Sequence, residues 1–155
     1  MRVTTKASYG VRALINLAVI YRQKQPLSIK SISQKEEISG VYLEQIFNRL
    51  KNNGLVKSVR GIRGGYMLAK APADISIYDV IIALDENISP GRCSRPKGKQ
   101  KPCARSSEGC VSKQIWDEVG RKIKETLADI SLKDMADRVL LINSGIGDLI
   151  GQCQK

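Results

Sequence analysis

The chain contains no histidine among its 155 residues. The side chain most often used as a general acid or base near neutral pH is therefore missing. No phosphate-cradling glycine loop compensates, because the glycines of 61–65 fall in a hairpin pattern. These two absences argue against an enzyme, and no small-molecule substrate is inferred. Aromatic residues make up only 5% of the chain, so isoleucine, leucine and valine must supply most of the packing. Long apolar runs are lacking too. The best candidate, ALINLAVIY, lies between Arg12 and Arg22 and is too short to span a bilayer. No small-residue cleavage site follows it. A cytoplasmic protein with no membrane partner is expected. There is no internal repeat, and the length suits one domain or a small domain with an added element.

Positive charge is abundant. Lysine and arginine number 26 against 15 acidic residues, for a net charge of +11. Such an excess points to a polyanion, nucleic acid or an anionic membrane surface, although a merely solvated basic face would look the same in composition.

Periodicity then orders the chain. Val11, Leu14, Ile15, Ala18 and Tyr21 make one apolar face of a helix over 7–22. Ser28 is placed to cap a short second helix carrying Ile29 and Ile32. Ser39 is placed to cap a third, with Leu43, Ile46, Phe47 and Leu50 as its buried stripe and NNG at 52–54 as its stop. The run LVKSVRGIRGGYMLAK changes the period to that of strand, glycine-rich turn and strand. A lone hairpin is marginal, so this one must lean on the helices. SIYD at 76–79 has the form of a capping box. Trp116, Val119, Ile123, Thr126 and Ile130 fall at coiled-coil spacing on a helix over 112–130, widened by Ile115 and Leu127. A second copy of the chain is the economical partner for that seam.

Three helices followed by a basic hairpin is the order of a winged helix-turn-helix. The expected fold is mainly α with a small β-hairpin wing. Residues 1–85 form the DNA-binding domain, 86–111 a cysteine loop, and 112–155 a dimerisation helix with a C-terminal helix or tail. The third helix would enter the major groove of double-stranded DNA. Tyr42, Glu44 and Gln45 sit in its first turns. Glutamate can accept from cytosine N4, and glutamine can pair with adenine. Arg49, Lys51 and Lys57 would contact phosphate. Arg60 and Arg63, interleaved with glycine, suit a narrow groove.

The segment GRCSRPKGKQKPCARSSEGC holds three of the four cysteines, Cys93, Cys103 and Cys110, with almost nothing apolar between them. Such a loop cannot build a core. Cytosolic cysteine clusters more often mean metal or redox chemistry than disulfides. The spacings match no tight zinc pattern, but they are compatible with an iron–sulfur cluster. Ligation would order the loop, since binding energy becomes folding energy. Arg92, Arg95, Lys97, Lys99, Lys101 and Arg105 would offset the charge of thiolates and cluster. A zinc knuckle and three incidental thiols are the competing readings.

The segments MRVTTKASYGVRAL, YLEQIFNRLKNNGLVKSVRGIRGGYML and CVSKQIW resemble the Rrf2 family of winged-helix transcription regulators. The resemblance runs from Met1 to about 135, and 42–68 is its most specific block. It implies a homodimer formed through the helix after the cysteine loop, here Trp116, Val119, Ile123 and Ile130. It places Glu44 at the base-reading glutamate and Arg60 at the minor-groove arginine. The three cysteines resemble the IscR-like iron–sulfur branch, which implies that Cys93, Cys103 and Cys110 hold a cluster modulating DNA binding. That branch carries a histidine three residues after the third cysteine, where this chain has Lys113. A sister branch uses an aspartate in the first helix, where this chain has Ser8. The fourth ligand is left among Glu108, Ser8, Cys153, an external molecule and the partner chain. Both 2Fe–2S and 4Fe–4S stay open, with 2Fe–2S favoured by analogy. A zinc-stabilised DNA-binding adaptor and an iron–sulfur redox carrier are the alternatives.

Overall fold

A computed structural model describes residues 4–85 and 110–144. Residues 86–109, which include Cys93, Cys103 and Glu108, and 145–155, which include Cys153, lie outside the described part. Helix α1 spans Thr5–Val19, and the Thr4 hydroxyl accepts from the Ala7 N–H at 3.3 Å to start it. It begins earlier than the apolar face alone suggested. It also ends earlier, because Tyr21–Gln23 tighten into a single 3₁₀ turn.

Helices α2 (Ile29–Glu36) and α3 (Gly40–Asn52) form the helix-turn-helix. Ser28 caps α2 as expected, accepting from the Ser31 N–H at 3.1 Å. Ser39 occupies the cap position of α3, but its side chain makes no capping hydrogen bond. The link between the helices is closed instead through Ser33, whose hydroxyl donates to the Ile38 carbonyl at 2.6 Å. Glu37 takes a left-handed conformation to make the bend. The end of α3 is decided by Gly54, at φ +69°. Its N–H bonds the Lys51 carbonyl, and the Leu55 N–H bonds that of Leu50. This is the Schellman arrangement, with buried Leu50 and Leu55 as its apolar pair.

The wing follows directly. Strands β1 (Val56–Val59) and β2 (Gly65–Leu68) pair antiparallel, with Val56 opposite Leu68 and Val59 opposite Gly65. Leu27 extends the sheet by one residue. Its N–H donates to the Tyr66 carbonyl at 3.0 Å and its carbonyl accepts from the Tyr66 N–H at 2.8 Å. The approach is so close that a Cβ at Gly65 would run into the Leu27 carbonyl. The Phe47 and Tyr66 ring centroids lie 4.6 Å apart, so α3 and the wing share one packing contact. Phe47 is wholly buried. Phe47→Ala should therefore cost about 3–5 kcal/mol, read as a lowered urea midpoint, and should loosen the wing relative to α3.

Helix α4 (Ile77–Ala83) starts with the SIYD capping box, Ser76 and Asp79 bonding each other reciprocally. Helix α5 spans Val111–Ala128, so Ile130 falls beyond it. Helix α6 (Leu132–Asn143) opens with a second capping box, Ser131 and Asp134. Hydrogen bonds from the Ser131 hydroxyl and N–H hold the Asp134 carboxyl below its ordinary range. That cap is in place above the unfolded carboxyl pKa and is lost as pH falls through the lowered folded value.

The core is one cluster. Leu14, Leu43, Ile46, Phe47, Leu50, Val80 and Leu84 meet in it, and Leu132 and Ala136 of α6 join them. Helix α6 thus returns to pack on α1. The Ile77 N–H donates to the Ile130 carbonyl and the Leu132 N–H to the Ile75 carbonyl, both at 2.9 Å, pinning the start of α6 to that of α4.

Candidate nucleic-acid interface and cysteine site

Helix α3 is amphipathic, and its outward face carries the residues singled out for base reading. Glu44 and Gln45 are exposed, as are Arg49 and Lys51 toward its end. Tyr42 is half-buried and packs against the core. Its ring meets Tyr9 of α1 edge-on at 6.0 Å. The Arg12 guanidinium lies 5.8 Å from the Tyr9 ring centroid. Arg12 also donates through Nε to Glu36 Oε2 at 2.8 Å and through a terminal nitrogen to the Glu36 carbonyl at 3.0 Å. Asn16, the one buried polar side chain among the described residues, donates to Glu36 Oε1 at 2.6 Å. Glu36 is the last residue of α2. This set of contacts fixes both helices of the reading unit against α1, and nothing in the sequence period disclosed it.

The far end of α3 is also tied down. Asn53 Nδ2 donates to the Arg49 carbonyl at 2.9 Å and to the Ala83 carbonyl at 3.1 Å. Arg49 itself pairs with Asp85, just beyond α4. Its guanidinium is half exposed and already has a carboxylate partner, so a phosphate would compete with Asp85 for it. Both side chains are well exposed to solvent, which keeps such a pair weak.

On the wing, Lys57, Arg60 and Arg63 are all exposed. The turn between the strands is closed by the Gly64 N–H donating to the Gly61 carbonyl at 2.9 Å. Ile62 at its tip is 108% exposed. Val41, in the first turn of α3, is 69% exposed. Neither apolar residue was singled out from the sequence. The available signal was an aliphatic side chain standing where the pattern called for a polar one.

Cys110 is the one cysteine among the described residues. It is half-buried, unpaired, and occupies the N-cap position of α5. Ser8 is exposed in the second turn of α1. Lys113 is held by Asp117, Nζ to Oδ2 at 2.7 Å. It stands one helical turn into α5 as a paired ammonium, which cannot ligate a metal without losing its proton.

Helix α5 buries none of its residues fully. Val111, Ile115 and Trp116 are 66%, 55% and 41% exposed, and Val119 and Ile123 are half-buried. Leu127 and Ile130 pack against the chain's own core. The coiled-coil seam therefore divides, its first part facing away from the core and its last part joining it. Arg121 bridges Glu118 and Glu125 at 2.6 Å each, which holds the Glu118 carboxyl below its usual value. The Lys124 ammonium lies 5.3 Å from the Tyr78 ring, touching α4.

A reading helix fixed by its neighbours, and a basic hairpin braced against it, define a winged helix-turn-helix DNA-binding regulator. Residues 3–138 match the model of the Rrf2 family, described as iron-dependent transcriptional regulators. The chain is 37% identical over 137 residues to the HTH-type transcriptional regulator IscR of Photorhabdus laumondii, covering 88% of this chain and 80% of that one. Among solved structures, the global cysteine regulator CymR of B. subtilis superposes with a TM-score of 0.71 at 34% identity, covering 88% of this chain and 97% of that one. IscR of T. potens gives 0.71 at 37%, covering 90% and 88%. The chain belongs to the Rrf2 family and is a transcriptional regulator of the IscR type, not an enzyme. No helix among the described residues is long and apolar enough to cross a membrane.

Proposed function

We propose that this regulator acts in the cytoplasm as a homodimer on double-stranded DNA, and that an iron–sulfur cluster held by Cys93, Cys103 and Cys110 modulates its DNA binding. The observation that carries the reading is the place of Cys110. A free thiol stands at the N-cap position of the helix whose first half leaves apolar side chains uncovered, and its side chain makes no capping hydrogen bond. The positive end of that helix suits an anionic thiolate–iron group. Three cysteine thiols are the donor set that iron–sulfur irons prefer. A 2Fe–2S cluster is the favoured form and 4Fe–4S the alternative. The fourth ligand is drawn from Glu108, Ser8, the partner chain or an external molecule, since Lys113 is engaged with Asp117. When bound, the cluster supplies a redox- and iron-sensitive tether at the start of α5. The chain's own residues do the rest. Glu44 and Gln45 meet base edges, Tyr42 fixes the start of α3, and Arg49, Lys51, Lys57, Arg60 and Arg63 meet the backbone and the groove. A coupling of about 1–3 kcal/mol between cluster and DNA is typical of such two-site systems.

The test has two arms. A protein purified without oxygen should be brown or red, and Mössbauer spectroscopy should resolve the cluster type, whereas a zinc protein is colourless. In fluorescence anisotropy, Arg60→Ala should weaken binding to a selected palindrome by about 1–3 kcal/mol. Glu44→Ala should relax discrimination at one base pair per half-site with little loss of affinity. If both variants bind palindrome and scrambled duplex as the wild type does, these residues do not read DNA.

A further inference from the structure

We propose that Ile62 is an apolar reader of the DNA minor groove, favouring A·T over G·C pairs beneath the wing. The inference rests on the DNA-binding reading above and adds a specificity element to it. Ile62 and Arg63 are the two central residues of the hydrogen-bonded turn from Gly61 to Gly64. Neither takes a positive φ. Central turn positions favour proline, asparagine, aspartate, serine and glycine, each for a backbone or hydrogen-bonding reason. Isoleucine offers none of these, and at 108% exposure no packing within the chain repays it. The tip is also held in place. Its strand β2 is bonded to Leu27 and packs through Tyr66 on Phe47 of the reading helix.

The chemistry around Ile62 selects the partner. Exposed Arg60 and Arg63 flank it, so the surface is a single aliphatic tip between two guanidiniums. That pattern fits a narrow slot with anionic rims and less polar walls, as the minor groove provides between its two rows of phosphate and sugar. A bilayer would need more apolar area than one turn carries. On the groove floor, A·T pairs present only acceptors, whereas a G·C pair adds the guanine 2-amino donor. An isoleucine pressed onto that amino group would strip it of water and return no hydrogen bond, a penalty that A·T avoids. A·T runs also narrow the groove and draw arginine in. A single A·T to G·C change leaves most of such a run in place, so at one base step the preference is carried by Ile62, while the arginines add affinity to every duplex.

The experiment uses the full chain and a duplex recovered by in vitro selection from a random library. Base pairs flanking the half-site of the reading helix are changed one at a time from A·T to G·C or to inosine·cytosine. Inosine keeps the major-groove face of guanine but lacks the 2-amino group. With the wild type, G·C at the wing-facing step should weaken binding about fivefold to tenfold, and inosine·cytosine should restore it. Ile62→Ser should flatten that difference to within about twofold while leaving the salt dependence unchanged. Ile62→Val should retain the preference. Arg60→Ala, by contrast, should weaken binding to every duplex. Inosine·cytosine as unfavourable as G·C, or an Ile62→Ser variant that still discriminates, would overturn the assignment while leaving DNA binding itself intact. Failure of the wild type to select any duplex would instead remove the DNA reading, and this inference with it.

Discussion

Chain purified without oxygen should lose most of its iron and visible absorbance when any one of Cys93, Cys103 or Cys110 becomes alanine, and should keep both in Cys153→Ala. In the proposed site each of these thiolates would make a covalent bond to iron, so a missing one would leave an iron site open to water and to cluster loss. Iron analysis and the visible spectrum measure the effect directly. The far-ultraviolet circular dichroism of the three variants should stay near that of the wild type. Among the described residues, the core cluster is built from α1, α2, α3, α4, α6 and the wing, and Cys110 is not part of it. A milder change is expected from Glu108→Ala. An unchanged spectrum there would move the fourth ligand to Ser8, the partner chain or an external molecule. Loss of the cluster in Cys153→Ala, with retention in any one of the loop variants, would overturn the ligand set.

Ile123→Glu should convert a dimer to monomer in sedimentation velocity. Ile123 lies on the half-buried edge of α5, about two turns beyond the exposed Ile115 and Trp116. Paired with the same face of a second chain, a glutamate there would lose water without gaining a partner. The penalty for an unpaired buried charge is several kcal/mol, enough to dissolve a dimer of ordinary affinity. Ile130→Glu provides the contrast. Because Ile130 packs on the chain's own core, that variant should lower the unfolding midpoint more than it changes the sedimentation of the folded fraction. A wild-type chain that sediments as monomer at micromolar concentration would remove the dimer proposal altogether.

Much of the fold was legible because its signals are local. The stripe Leu43–Ile46–Phe47–Leu50 predicts α3, Ser28 predicts the start of α2, SIYD predicts a capping box, and the change from helical to alternating period predicts the wing. Helix α5 was visible for the same reason, but its end was not. Ile130 continues the heptad spacing in sequence, yet the chain turns at Asp129 so that Ser131 can bridge to Ser76. A period describes one helix and carries no information about the backbone pairing that stops it.

The sequence by itself determined the order of the main elements, the placing of the basic residues along α3 and the wing and, through its resemblance, the family. These depend on residue type and on spacing within a few turns. Tertiary structure alone decided which polar groups are spent on architecture. Glu36 takes up Arg12 and Asn16 across twenty and more residues, Asp85 takes up Arg49, and Tyr42 leans on Tyr9. It also decided which apolar groups stay uncovered, Ile62 on the wing and Val111, Ile115 and Trp116 on α5. The reason is physical. Periodicity assigns a side chain to a face, but its burial and its partners depend on what the rest of the chain, brought together from far along the sequence, places against that face.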